Sequence, residues 1–355
     1  MIVSSRAFAL DGDAKNNFTR QQADTLRKYL WKFPVNTQLS IAMVNNGKVT
    51  YAGVIVDKDT FHIVENRDSI FEIGSLTKVF TSVLLSTFVN KGDVKIEDHI
   101  QDYFDYGLKD GNVSGKQITL GMLANHTSGL PRIDMSMMNN TTDMNDPYAK
   151  YDEKALKDYL QNKMKLDTVP GVKFSYSNLG GGLLGYILCQ KEHSTYENLV
   201  QNNIFKPLGM NNSTTFLAYV KDKMVKGRNA AGAITANWNF TDATAGAGAI
   251  KSNATDMVKF MQANFTPNKV YDLPRVRSFT ISDKMFIGLG WLCKVERAKD
   301  NIYWHNGGTG GYRSCLAMDI EKKSGVIILS NVSSFHPLNA NIDKLCFALL
   351  SSLSR

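Results

Sequence analysis

Phe71-Glu72-Ile73-Gly74-Ser75-Leu76-Thr77-Lys78-Val79-Phe80 holds the one S-x-x-K tetrad of the chain, at the head of an apolar run that reads as a buried helix from Leu76 to Val89. Residues three apart share a helix face, so the Ser75 hydroxyl and the Lys78 amine can lie side by side. An alcohol is a weak nucleophile at neutral pH. A neighbouring amine kept neutral by desolvation or by nearby positive charge can take its proton. Gly74 admits close approach by another segment, and the helix start offers backbone N–H groups to a developing oxyanion. Serine and lysine are common residues, so the tetrad alone is a weak signal that a surface pair at the mouth of a core helix would also produce.

Working outward, residues 17–33 predict an amphipathic helix with Phe18, Leu26, Leu30 and Trp31 toward the core. Leu39 to Val44 and Val49 to Val56 are β-prone runs joined by Asn45-Asn46-Gly47, a hairpin signal. The helix after Ser75 should stop near Gly92. From about 93 to 230 helix and loop signals dominate, among them a short helix capped by Thr119, a polar loop over Asn139 to Tyr151 and a glycine-lined helix from Gly180 to Cys189. Beyond 230 comes a helix over Asn253–Asn264. It is followed by strands at Phe286–Val295, Ile302–His305, Tyr312–Asp319 and Val326–Val332, and by a closing amphipathic helix over 337–352. Strands at both ends with helices between them predict an α+β fold (an α/β sandwich). An antiparallel sheet is flanked by N- and C-terminal helices and carries an inserted, mainly helical domain. The expected division is 15–72 plus 231–355 for the sheet domain and 73–230 for the insert, with the site at their junction.

The 355 residues can bury a full core, and 43% hydrophobic with 21% charged content is ordinary for a globular chain. The net charge of +8 comes from scattered lysines. No basic arm or aromatic-basic stripe accompanies it, which argues against nucleic acid as a partner. Cys189, Cys293, Cys315 and Cys346 are widely spaced and read as buried free thiols. Cys293 and Cys315 fall on nearby predicted strands, and no bridge between them is predicted. No apolar run reaches membrane-spanning length. Met1–Leu10 lacks the basic start and long apolar stretch of a signal peptide. Sequons such as Asn140-Thr141-Thr142 reflect an asparagine-rich composition.

Two further elements strengthen the tetrad. In Lys173-Phe174-Ser175-Tyr176-Ser177-Asn178-Leu179-Gly180 a Tyr-x-Asn precedes the glycine-lined helix. A phenol can shuttle a proton, and a carboxamide can bind both a substrate amide and a lysine amine. The second copy, Tyr196-Glu197-Asn198, lies in a charged stretch and reads as a helix surface. The third element is Trp304-His305-Asn306-Gly307-Gly308-Thr309-Gly310-Gly311-Tyr312, whose glycines let backbone N–H groups face a ligand. Alone, it would read as a glycine-rich hairpin with His305 packed in a strand.

Taken in this order and spacing, the three elements resemble the serine β-lactamase and penicillin-binding-protein superfamily. The likeness is to its class C-like branch of β-lactamase-related D-Ala-D-Ala carboxypeptidases, D-aminopeptidases and esterases. Ile118-Thr119-Leu120 through His126-Thr127-Ser128-Gly129-Leu130-Pro131, and Gly288-Leu289-Gly290-Trp291, extend the likeness to residues 20–350. It implies Ser75 as the acylated nucleophile, Lys78 as its proton acceptor and Tyr176 as the relay to the leaving group. It further implies Asn178, His305, Gly307 and Gly308 as substrate-binding residues, with the N–H groups of Ser75 and Gly308 as oxyanion hole. His305 stands where class C β-lactamases carry lysine, and Asn306 where they carry a hydroxyl residue. That substitution points to a peptidase or esterase before an efficient β-lactamase. The resemblance implies no cofactor and no metal, a small-molecule or peptide substrate of peptidoglycan-derived type, and no integral membrane segment. It implies a periplasmic or extracellular bacterial setting; a cytoplasmic one and the oligomeric state stay open.

Two other hydrolase types fail on motif grounds. There is no G-x-S-x-G elbow, and His62, His99, His126, His193, His305 and His336 are dispersed without H-E-x-x-H. His126 reads as a structural hydrogen-bonding residue beside a turn. The alternative of another class is a sensor module that is acylated by β-lactams without turnover.

Overall fold

The computed structural model describes residues 18–58, 60–134, 143, 145–297 and 300–353. Met1–Leu10, the Asn140-Thr141-Thr142 sequon and part of the Asn139–Tyr151 loop lie outside them. Helix α1 (Arg20–Leu30) starts with a capping box between Thr19 and Gln22 and buries Leu26 and Leu30, with Phe18 beneath its start. Trp31, expected in the core, is 63% exposed. It is the C-cap residue, where the helix ends before its face comes round, and its ring instead takes the Lys32 ammonium 4.9 Å away.

Strands β1 (Gln38–Asn45) and β2 (Lys48–Asp57) form the expected hairpin. Asn46 and Gly47 turn it with φ of 47° and 83°, both positive as a two-residue turn of this hand requires. Strand β3 (Thr60–Val64) continues the meander and was not anticipated. Six more strands come from the C-terminal third: β4 (Phe279–Ser282), β5 (Met285–Ile287), β6 (Leu292–Arg297), β7 (Asp300–Gly308), β8 (Arg313–Asp319) and β9 (Ser324–Ser330). All nine belong to one sheet in the order β3-β2-β1-β9-β8-β7-β6-β5-β4, with antiparallel neighbours throughout. The pairing of Leu39 with Ser330 joins the two ends of the chain at its centre.

The single strand expected over Phe286–Val295 is two strands with a turn at Gly288–Trp291. Gly290 has φ +84°, and a Cβ there would lie 2.6 Å from Ser82 Oγ. The chain bends because it is wedged against a helix, and only glycine fits. Cys293 and Cys315 sit on strands separated by β7, and all four cysteines are free and buried. The neighbour of Cys315 is Cys346, whose thiol donates to the Cys315 carbonyl at 3.5 Å.

Between Val64 and Phe279 the described chain adds no strand to this sheet. Helix α2 (Thr77–Lys91) is buried on nearly every side and ends at Gly92 in the left-handed conformation. Phe80 stacks on Phe260 at 3.9 Å. Around α2 stand α3 (Leu120–Ala124, capped by Thr119), α4 (Asn178–Lys191), α5 (Tyr196–Val200) and α6 (Ala254–Ala263, capped by Asn253). The last helix, α7 (Ala340–Leu353), packs with α1 on the opposite face of the sheet, burying Ile342, Leu345 and Leu349. Two cores result, one on each sheet face.

Tyr196-Glu197-Asn198 is not a helix surface. Tyr196 is fully buried with its hydroxyl 2.7 Å from Thr81 Oγ1, and Glu197 accepts from Gln201, Thr214 and Thr215. A fully satisfied carboxylate can be buried, which the charge of the stretch does not reveal. Among the described residues no helix is long and apolar enough to cross a membrane.

Candidate active site

A one-turn 3-10 helix, Gly74–Leu76, feeds into α2 and sets Ser75 at the edge of β7. The approach is close. A Cβ on Gly74 would lie 2.5 Å from the Gly308 nitrogen, and one on Gly307 would lie 1.9 Å from the Ile73 carbonyl. Ser314 Oγ donates to that same carbonyl at 2.7 Å, tying β8 to the turn. Glycine at these positions is what lets the Ser75 and Gly308 backbones come together.

Lys78 is buried in the first turn of α2, three residues after Ser75. Its Nζ lies 3.0 Å from Ser75 Oγ, 2.9 Å from Asn178 Oδ1 and 2.7 Å from the Ala247 carbonyl. None of these partners is a carboxylate. Gly181 makes room for the lysine stem, since a Cβ there would be 2.9 Å from Lys78 Cε. Burial, with the Arg132 guanidinium adding repulsion, holds the Lys78 amine well below the usual lysine range.

Tyr176 and Asn178 arrive on the loop that starts α4, and residues 126–132 shape that loop. His126 Nδ1 accepts from Ser177 N at 3.2 Å, while its carbonyl accepts from Ser175 N at 2.8 Å. The Arg132 carbonyl accepts from Asn178 N at 2.8 Å, and the N-cap residue Ser177 donates to the Pro131 carbonyl. His126 is thus a buried template, as its sequence context suggested. Its ring lies 4.3 Å from that of Tyr176. Lys78 Nζ and the Arg132 guanidinium stand 5.0 and 5.1 Å from the Tyr176 ring centre. Burial pushes the phenol up to about 12, against the downward pull of Ser75 and Arg132. At neutral pH it carries its proton.

The third motif divides. Asn306, Gly307 and Gly308 line a cavity of about 430 Å³ with Ser75, Tyr176 and Asn178. His305 is only 2% exposed and lies behind that lining. Its Nδ1 is 2.6 Å from the Asn306 carbonyl, which accepts only, so Nδ1 holds the proton and Nε2 is bare. Burial, with Lys78 nearby, pushes the imidazole down to about 3. The resemblance implied His305 as a substrate-binding residue. In this tautomer its one N–H is already spent on the backbone. Asn306 donates to Asp343, which also holds Arg313.

Sequence reasoning missed several lining residues: Arg132, Tyr148, Trp238, Arg313 and Phe335. Arg132 adjoins the His-Thr-Ser-Gly-Leu-Pro run and was within reach of motif reading; Arg313 opens strand β8, and Tyr148, Trp238 and Phe335 come from loops with no local signature. A buried Glu72, accepting from Asn237 and from the Trp238 N–H, was missed as well. What these groups can do together is hold an acyl carbon at Ser75 between backbone donors and proton carriers.

The β-lactamase family model matches residues 37–345. The D-alanyl-D-alanine-carboxypeptidase/endopeptidase AmpH of Escherichia coli K12 is 28% identical over 301 residues, covering 78% of this chain and 76% of its own. A β-lactamase of Pseudomonas fluorescens is 26% identical, covering 95% and 99% respectively. Among solved structures, a β-lactamase/D-alanine carboxypeptidase of Yersinia pestis superposes with TM-score 0.76 at 24% identity, over 94% of this chain and 99% of that one. A class C β-lactamase gives 0.75 at 20% identity, over 94% and 95%. These last two likenesses carry the fold. With the family model spanning both ends of the sheet and everything between, the chain belongs to the β-lactamase family.

Proposed function

We propose that this protein is a serine hydrolase acting through an acyl-enzyme on Ser75, with peptides that end in or contain D-amino acids as its leading substrates. The observation that carries this reading is the setting of Lys78. A neutral amine has two N–H bonds and one lone pair. The Asn178 and Ala247 carbonyl oxygens take the two N–H bonds, which leaves the lone pair for the Ser75 hydroxyl proton. Ser75 Oγ then attacks the acyl carbon while its proton passes to Lys78. The oxyanion faces the Ser75 and Gly308 N–H groups. As the tetrahedral species collapses, the bond to the leaving group breaks. Tyr176 gives that group its proton and recovers one from Lys78. Water then cleaves the Ser75 ester by the same groups, releasing the acid and restoring the hydroxyl.

The reaction sits between the sheet domain (15–72 plus 231–355) and the helical insert (73–230), since Ser75, Tyr176 and Gly308 come from both. Peptidoglycan fragments supply D-alanyl peptides of the required kind, and the name of the E. coli relative supports them. Ester hydrolysis is the second reading. An uncharged His305 provides no fixed cation for a β-lactam carboxylate, which favours esters over β-lactams. Paired D- and L-configured acyl-peptide substrates test the proposal. We expect D-alanyl release with a Ser75 adduct located by mass spectrometry; L-residue release alone would refute the substrate class.

Arg132 gives a second check. Its charge destabilises the protonated form of Lys78, whose other near neighbours, His126 and His305, are neutral. Acylation needs the free amine, so its rate rises with pH through the Lys78 pKa. Arg132→Met should move that acidic limb to higher pH, and Arg132→Lys should restore most of it. An unchanged limb in Arg132→Met would show that burial alone sets the amine.

A further inference from the structure

The proposed reaction leaves one wall of the cavity without a task, and that wall is aromatic. Tyr148, Trp238 and Phe335 line it, with ring centres 5.4 Å apart for the first pair and 6.4 Å for the second. Phe240 backs the strip, stacked 4.7 Å from Tyr148. The inner rings are fixed in place. Tyr148 Oη accepts from Asn178 Nδ2 at 3.2 Å. The Trp238 N–H donates to Glu72 at 2.8 Å, and its carbonyl accepts from Lys251 at 3.3 Å. Its indole leans on Gly310, where a Cβ would come within 2.8 Å of Nε1. Spending a buried Glu72 and a buried Lys251 on one tryptophan backbone makes a rigid platform. Phe335 differs: it is 69% exposed, an apolar ring at the rim with its face open to solvent.

Direction follows from the neighbours. The strip joins the site at Asn178, whose carboxamide donates to Tyr148, whereas the rings in contact with Tyr176 are those of His126 and His305. In the reaction proposed above the leaving group departs at Tyr176, so the rings flank the other half of the substrate. We infer that the acyl half of the substrate carries an aromatic or bulky apolar group that packs on Tyr148, Trp238 and Phe335. Covering these rings removes apolar surface from water on both sides, and ring-on-ring contact adds to it. A cavity of about 430 Å³ has room for such a group, which the methyl of an alanyl residue would leave unfilled.

This assignment rests on the proposed acyl-enzyme, and the test separates the two. p-Nitrophenyl acetate, butyrate and phenylacetate share one leaving group, so differences in kcat/KM, corrected for spontaneous hydrolysis, report the acyl half. We expect phenylacetate to exceed acetate by about tenfold or more, and Phe335→Ala, a change at an exposed position, to lower that ratio by at least about threefold. Acetate equal to phenylacetate in the unaltered protein, or a ratio unmoved in Phe335→Ala, would overturn the assignment while leaving the reaction standing. No Ser75 adduct with any of the three esters would overturn both.

Discussion

Ser75→Ala should yield a protein that folds as before and loses essentially all turnover, on the order of a million-fold, with no covalent adduct from a fluorescent penicillin or an activated ester. The size of the loss follows from the chemistry: among the described residues, the Ser75 hydroxyl is the one hydrogen-bonded to Lys78 Nζ. The fold should hold because the side chain is small and half-buried and its principal partner is the amine. Near-parental melting together with the absence of a mass shift is the expected result. Labelling that persists at another residue would remove Ser75 from the mechanism.

Lys78→Met should lower acylation by about a thousandfold, the usual scale for deleting a general base. It also makes a prediction about stability. The folded pKa of Lys78 lies below the unfolded value of 10.5. In the window between them the unfolded chain binds a proton that the folded chain refuses. Burying this lysine therefore works against folding at neutral pH, and that handicap fades as pH rises toward 10.5. Relative to Lys78→Met, the parent should gain stability steadily over that range. Denaturant unfolding from pH 7 to 10.5 measures it, and parallel curves for the two proteins would mean that Lys78 stays charged in the fold. Unpaired oxygens at Asn178 and Ala247 cost the variant about 1–3 kcal/mol each. This pH-independent offset leaves the slope unaffected.

Much of the fold was legible because its signals are local. Asn46-Gly47 turns a hairpin through two positive φ angles, Gly92 ends a helix, and Thr119 and Asn253 begin others. The Gly288–Trp291 turn and Tyr196-Glu197 were misjudged for the opposite reason, since each is decided by a contact with a distant segment: where Ser82 presses on Gly290, and where Thr214 and Thr215 donate to a buried acid. Trp31 was misjudged because the helix ends there, short of turning it inward. The site divides the same way. Ser75 and Lys78 declare themselves by helical spacing, whereas Tyr148, Trp238 and Phe335 have no spacing to read and meet only through long-range folding.

The order of residues along the chain was enough to establish which chemical groups are available and that the termini build one sheet, because turn, cap and helix-face preferences act over three or four residues. Tertiary structure alone decided the charge state of Lys78, the tautomer of His305 and the aromatic wall. Each depends on how completely water is excluded and on which remote oxygen or ring fills its place.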